Sequence, residues 1–321
     1  MPGADVVVPS WNGSALLEQC LPTLLGQPGA ARIVVVDNGS TDGTAAMLAQ
    51  RFPDAEVVAL RENRGFATAV NAGIAAGSAE VVVLVNNDVE CDAGFVAALV
   101  AALAHEPGAG MAAGLLLAPG RATVDSYGVE VDRTLAAFPR FARAPWPVAL
   151  HDRGLALPSG GAAAYRRAAL EAVGGFDEGL FAYMEDVDLG LRLAAAGWGC
   201  AGAPGASGVH LGSATFGRRS RWQVEVSGFA RAYMLRKYGV LRRGPATAAW
   251  ALAAEAGVVA LDATAARDLA AARGRVRGWR AARGRHAPVP GGAINRAIGP
   301  REALRRRRAA VPRVPRAGQT P

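Results

Sequence analysis

Four runs of apolar, mostly β-branched residues punctuate the first 85 positions: DVVVP at 5–9, RIVVVD at 32–37, AEVVAL at 55–60 and EVVVLV at 80–85. The apolar positions are continuous rather than alternating. That is the pattern of strands buried on both faces of a parallel sheet. Successive runs lie about 25 residues apart, which leaves room for one helix in each gap. The gaps predict helices over 14–25, opened by Ser14, and over 43–52, capped near Asp42 and stopped by Pro53. Two more are predicted over 66–76, ending at Gly77, and over 94–105, ending at Pro107 and Gly108. Four βα units in a row predict an α/β, doubly wound, Rossmann-like half.

The rhythm breaks near residue 110. Residues 119–158 are rich in Pro and Gly and read as loop, followed by a helix over 165–173 and a short strand near 198–203. Beyond Tyr238 the chain becomes Arg-rich and helical, and from Ala287 its Pro/Gly/Arg composition predicts disorder. The expected organisation is a body over 1–240, divided into halves at 110, a helical extension over 241–286 and a disordered basic tail over 287–321.

Composition adds a charge asymmetry. The net charge is +8, but residues 240–321 hold 17 Arg against 4 acids, and the first 239 residues carry a net −5. Lys237 is the only lysine. Three scattered cysteines, Cys20, Cys91 and Cys200, offer neither a disulfide framework nor a zinc site, and they fit a reducing compartment. MPGADVVVP lacks the basic and apolar regions of a signal peptide, so a cytoplasmic protein is expected. ATAAWALAAEAGVVAL is interrupted by Glu255 and is short and Ala-rich for a membrane span. A helix over 246–285, with Trp250, Trp279 and many Arg, could lie on an anionic membrane surface or pack on the body; both readings stay open.

Ligands of open parallel sheets bind beyond the carboxyl ends of the strands. Three of the four runs end there in polar residues: Pro9-Ser10-Trp11-Asn12-Gly13, Asp37-Asn38-Gly39-Ser40 and Asn86-Asn87-Asp88. No G-x-G-x-x-G follows the first run and no Walker A sequence is present, so dinucleotide and P-loop readings lose their main support. Asp37 can accept the imide N–H of uracil or thymine, with Asn38 completing the pocket and Trp11 lining the base. Turn chemistry alone explains the same residues. Asp88 can hold Mg2+ or Mn2+ through hard oxygen, with Asn86 near a ribose, and a turn again explains Asn-Asn-Asp on its own. His210, one of four histidines, becomes a second metal ligand if it meets Asp88. In YMEDVDLGLRL, Glu185 and Asp186 open a helix. There the dipole favours acids, so capping alone explains them; the sharper reading has the same dipole keep Asp186 ionised as a general base, while Asp188 and Arg192 can pair on the helix surface.

VVVPSWNG, VVVDNGSTDGT, ENRGFATAVNAGI, VLVNNDV, GGFDEGLFAYMEDVDLGLRL and GVHLGSAT occur in one order over residues 5–238. This resembles inverting family 2 glycosyltransferases of the GT-A fold, most closely their rhamnosyltransferase-like branch. The resemblance implies that Pro9, Asp37 and Asn38 surround the donor nucleotide, and that Asn63, Gly65 and Asn71 lie near its ribose and diphosphate. It further implies that Asn86 and Asp88 stand at the ends of the family's D-x-D motif, with Asn in place of the first Asp. Asp186 takes the place of the base in the E-D motif, with Glu185 beside it, and His210 that of a metal or diphosphate contact. The implied partners are a nucleoside-diphosphate sugar, dTDP- or UDP-linked, and a saccharide or lipid-linked acceptor. A peripheral membrane contact stays open and no nucleic acid is expected. Two rivals remain at this point. A sugar-1-phosphate nucleotidyltransferase would need a basic Gly-rich N-terminal loop, which VPSWNGSALLEQ lacks. A membrane or nucleic-acid adaptor would act through the basic tail.

Overall fold

The apolar runs form the centre of one large sheet. β1 (Ala4–Ser10), β2 (Ala30–Asp37), β3 (Glu56–Ala59) and β4 (Val81–Val85) alternate with α1 (Ser14–Leu24), α2 (Thr44–Arg51) and α3 (Phe66–Ala76). The computed structural model of the chain describes residues 3–146, 157–212 and 220–310. Beyond β4 come β5 (Val89–Cys91), α4 (Phe95–His105), β6 (Ala109–Leu117), β7 (Val124–Tyr127), β8 (Val129–Val131), β9 (Ala137–Pro139), β10 (Ala162–Arg166) and α5 (Arg167–Val173). They are followed by α6 (Glu185–Ala195), β11 (Gly199–His210), α7 (Arg221–Lys237), α8 (Pro245–Leu261), α9 (Ala270–Ala281) and α10 (Pro300–Ala310).

The sheet order is β3-β2-β1-β4-β10-β6-β11-β5, with β7 on β6. β1 to β4 are parallel, β10 runs antiparallel to both β4 and β6, and β11 is parallel to β6. The continuous apolar runs are explained by two cores. Val7, Val34, Val36, Val82 and Leu84 pack on one face, with α3, α5, α6 and α7 contributing. Val6, Val8, Val35, Val83 and Val85 pack on the other, against α1 and α4. Side chains alternate faces along each strand, so both sets must be apolar.

Several expectations change. β3 is an edge strand with Val57 40% exposed, so it is not buried on both faces. β6, AGMAAGLLL, escaped the sequence reading because Ala and Gly are weak strand formers. The helix expected from 165 begins at Arg167, for Ala162–Arg166 is a strand, and the short strand near 198–203 runs on to His210. α1 is capped at Gly13 rather than opened by a Ser14 cap.

The C-terminal region differs most. α9 packs tightly on α7 because Gly274 and Gly278 face it: a Cβ there would come within 2.0 Å of the Glu225 and Phe229 carbonyl oxygens. Residues 287–310, expected to be disordered, include α10, and Ile298 and Ala303 are buried against Ala136 and Phe138. Residues 147–156 of the loop-rich stretch and 311–321 of the tail lie outside the described residues.

Candidate active site

The ends of β1, β2 and β4 converge with α6 and the end of β11 on one cleft of about 520 Å³. Its wall contains Pro9, Trp11, Asn38, Asn63, Gly65 and Asn86-Asn87-Asp88 on the sheet side, and Glu185, Asp186 and His210 across it. The sheet-side turns are built from their own side chains. Asn38 Nδ2 donates to Asn63 Oδ1 at 3.0 Å and to the Gly65 carbonyl at 3.1 Å, and Asn38 Oδ1 accepts from the Arg64 N–H. Asn87 Nδ2 donates to Ser10 Oγ at 2.9 Å and so ties β4 to β1. Gly65 has φ +87° and an added Cβ would meet the Phe181 carbonyl oxygen at 2.4 Å, so only glycine lets the sheet turn and the loop before α6 meet.

Three residues singled out in the sequence do not line the cleft. Asp37 is buried behind it, and its Oδ1 accepts the Ser40 N–H at 2.9 Å. Asn12 braces the same turn, its Oδ1 accepting from the Thr41 N–H. Asn71 clamps the loop before α6 instead, donating to the Phe176 carbonyl and Glu178 while accepting the Phe176 N–H.

Across the cleft, Asp186 accepts the Gly160 N–H at 3.1 Å and the Val187 N–H at 2.7 Å. Burial raises its carboxyl above the ordinary range, and these two donors pull the other way. Glu185 is buried, its Oε2 has no partner, and burial with the neighbouring Asp186 pushes it up to about 8. The two sites differ in kind: Glu185 has nothing to offset its burial at Oε2, whereas Asp186 has two backbone donors that favour its charged form. Asp188, expected on the helix surface, is fully buried. It accepts from Arg192 at 2.7 Å, Lys237 at 2.5 Å and the Tyr238 hydroxyl at 2.9 Å. That network fastens α6, and with it Asp186, to α7.

At the other end His210 Nε2 lies 3.2 Å from Asp88 Oδ2 and its Nδ1 lies 2.9 Å from Asp125 Oδ2. The two carboxylates outweigh desolvation and lift the imidazole to about 10. Asp88 Oδ1 is buried with no hydrogen-bond partner, as is Asn86 Oδ1. Asp125, Ser126, Gly160, Gly161, Phe181, Tyr183 and Trp222 complete the wall and were missed in the sequence. The Gly160-Gly161 pair was the available signal, since paired glycines mark close backbone approach. Asp125 gave none, lying in a stretch read only as loop.

Comparison with known proteins identifies the family and the fold. The glycosyl transferase family 2 model matches residues 5–174. The chain is 33% identical over 237 residues to N-acetylglucosaminyl-diphospho-decaprenol L-rhamnosyltransferase of Mycobacterium tuberculosis, covering 66% of this chain and 77% of that one. It is 38% identical over 99 residues to an uncharacterized glycosyltransferase of Mycobacterium bovis, 30% of this chain and 42% of that one. Among solved structures it resembles a mannosyltransferase of Pyrobaculum calidifontis in complex with GDP-Man and Mn2+, with TM-score 0.51, 23% identity and coverage of 88% and 86%. GalNAc-T7 with UDP, GalNAc and Mn2+ gives TM-score 0.56 and 13% identity, covering 74% of this chain and 50% of that one. With a family match over more than half its length, a GT-A sheet and a rhamnosyltransferase relative, the chain is a glycosyltransferase belonging to family 2, in its rhamnosyltransferase-like branch.

Proposed function

We propose that this enzyme transfers L-rhamnose from a dTDP- or UDP-linked donor to a hydroxyl of a lipid-linked saccharide, with inversion at the anomeric carbon. The observation that carries the reading is one cleft shared by Asp186, Asp88 and His210 with Pro9, Asn38, Asn63 and Gly65. The sugar and acceptor class are drawn from the Mycobacterium relative, whose name joins L-rhamnose to N-acetylglucosaminyl-diphospho-decaprenol.

Pro9, Trp11 and Asn38 receive the nucleoside, while Asp37 and Asn12 hold the turn behind them. Asn63, Gly65 and Asn86 approach the ribose and diphosphate. Asp186 takes the proton of the acceptor hydroxyl, whose oxygen attacks the anomeric carbon from the face opposite the diphosphate. The bond from that carbon to the diphosphate oxygen breaks, and its electrons leave with the nucleotide. A general base of this kind contributes about 10²- to 10⁴-fold.

The residues fit Mg2+ or Mn2+. Asp88 offers Oδ1, a buried oxygen without a partner, and His210 Nε2, adjacent to it, would join as a ligand only on giving up the proton that Asp88 and Asp125 stabilise. Among the described residues no three His, Cys, Asp or Glu side chains form a cage, which suits a cation completed by diphosphate oxygens. Such a cation, when bound, neutralises charge on the leaving diphosphate.

The acceptor's lipid brings the protein to the inner face of the membrane. Pro245–Thr264 is long and apolar enough to cross one, with mean hydropathy 1.3 and only 17% of it buried. Leu252 and Leu261 on it, and Leu269 beyond it, are exposed beside the Arg-rich α9, which suits peripheral contact with an anionic surface.

The test is incubation with dTDP-rhamnose or UDP-sugars, Mn2+ or Mg2+, and N-acetylglucosaminyl-diphospho-decaprenol, with release of nucleoside diphosphate measured. Release that needs both donor and acceptor is expected. Turnover only with a sugar-1-phosphate and a nucleoside triphosphate overturns the reading.

A further inference from the structure

Val129 and Pro139, cross-strand partners at one end of the β8–β9 ladder, both line the cleft. That two-stranded sheet is separate from the large one, and a two-stranded ribbon alone is marginal in water. Leu157 pairs with Val129 through two backbone hydrogen bonds, Arg140 pairs with Glu130, and the rest of the support comes from the far end of the chain. Val131 bridges Ile294 in parallel, and the Asn295 N–H donates to the Val131 carbonyl at 2.9 Å. Arg306 Nη1 donates to Glu130 Oε2 at 2.7 Å and Asn295 Nδ2 to Glu130 Oε1 at 3.2 Å. The Arg306 guanidinium also lies 5.9 Å from the Phe138 ring centre, while Ile298 and Ala303 bury Ala136 and Phe138.

We infer that residues 293–306 are a positioning strut for the acceptor wall: the Glu130–Arg306 pair and the Val131–Ile294 bridge set where Val129 and Pro139 stand. The inference rests on the proposed function in assigning that wall to the acceptor. The pair is partly shielded, with 31% and 17% side-chain exposure, so its geometry matters more than its net strength.

The experiment uses full-length Arg306→Ala and Arg306→Lys; a charge exchange is avoided because Glu130 also pairs with the buried Arg140. The first readout is hydrogen exchange. Arg306→Ala should lose protection over 129–139 while β1, β2 and β4 keep theirs. The second is kinetic, with dTDP-rhamnose and N-acetylglucosaminyl-diphospho-decaprenol. Acceptor KM should rise about fivefold with donor KM unchanged, the equivalent of losing a partly shielded ion pair. Arg306→Lys should recover most of it. Unchanged protection over 129–139 overturns the strut whatever the substrate. Lost protection with unchanged acceptor KM, or equal rises in both KM values, overturns its role at the acceptor wall. If the wild-type chain turns over no nucleotide sugar while Arg306→Ala still loses protection, the proposed function fails and the strut itself stands.

Discussion

The two walls of the cleft are held by different forces. The donor wall hangs from β1, β2 and β4, whose central valines have no exposed surface and pack into cores on both faces. The acceptor wall is fastened by buried ions. Lys237 joins Asp177 at 2.7 Å to Asp188 at 2.5 Å, and Arg231 and Arg275 share Glu255 between α7, α9 and α8. Apolar burial is non-directional and tolerates small movements. A buried ion pair is costly unless its geometry is kept, so it specifies where one helix stands on another. The sheet wall is thus set by hydrophobic layering, and the α6 wall by the same layering, through Val187, Leu189, Leu191 and Leu193, with directed charge added to it.

The largest expected effect lies in the reacting wall. Asp186→Asn keeps the shape and removes the base. Its kcat should fall about 10²- to 10⁴-fold, with nucleotide affinity by calorimetry within a few fold. Normal turnover would remove Asp186 from the chemistry.

A paired test of the walls follows. Lys237→Met leaves Asp177 and Asp188 without their shared cation and should cost about 3–5 kcal/mol in urea unfolding. Leu99→Ala, at a fully buried position in the opposite core, should cost about 2–5 kcal/mol. Only Lys237→Met should also lower kcat, since it loosens α6. Equal kinetic damage from both would erase the distinction between the walls.

A smaller effect is expected at the surface. Leu252→Ser with Leu261→Ser should weaken co-sedimentation with phosphatidylglycerol vesicles about tenfold and leave turnover of a water-soluble acceptor unchanged. Equal binding to neutral phosphatidylcholine vesicles would remove the Arg-rich face from the contact.

The smallest is a pH effect on stability. Glu185 in the folded state sits near 8, above its ordinary 4.5, so folding favours the protonated form. Its contribution is complete below 4.5 and is lost as pH rises through about 8. Glu185→Gln imitates the protonated acid and cannot titrate. Its Tm should gain on wild type by a few degrees, about 2–4 °C per kcal/mol, across that window. A constant Tm difference would mean Glu185 is not held protonated.

The first half of the molecule was legible because each residue's role there is repeated by its neighbours. Val6 and Val8 face one core and Val7 the other, so a continuous run announces a two-faced strand. Asn86-Asn87-Asp88 and Glu185-Asp186 were legible because polar residues at a strand end and a helix start stand out against apolar ones. β6 was not. Its Gly110 is required by Trp198, whose side chain would lie 2.8 Å from an added Cβ, and a contact across 88 positions leaves no local trace. The role of Asp125 was hidden for the same reason, its partner His210 being 85 residues away. Arg-rich composition suggested disorder over 287–310, yet Glu130 lies 176 positions from Arg306 and gives that charge somewhere to go.

By itself the sequence determined the layered α/β half, the order of its strands and helices, and the acids and amides that reach the cleft. Periodicity and end residues are local properties, and they report which face is buried and where an element stops. Only the tertiary structure decided that Glu185 is buried without a partner for Oε2, that Asp188 is a buried tie rather than a surface pair, and that the chain's far end packs on the β8–β9 ribbon. Those outcomes depend on desolvation and on partners brought together across long stretches of chain. Burial and distance, rather than residue type, determine the energy of a charge.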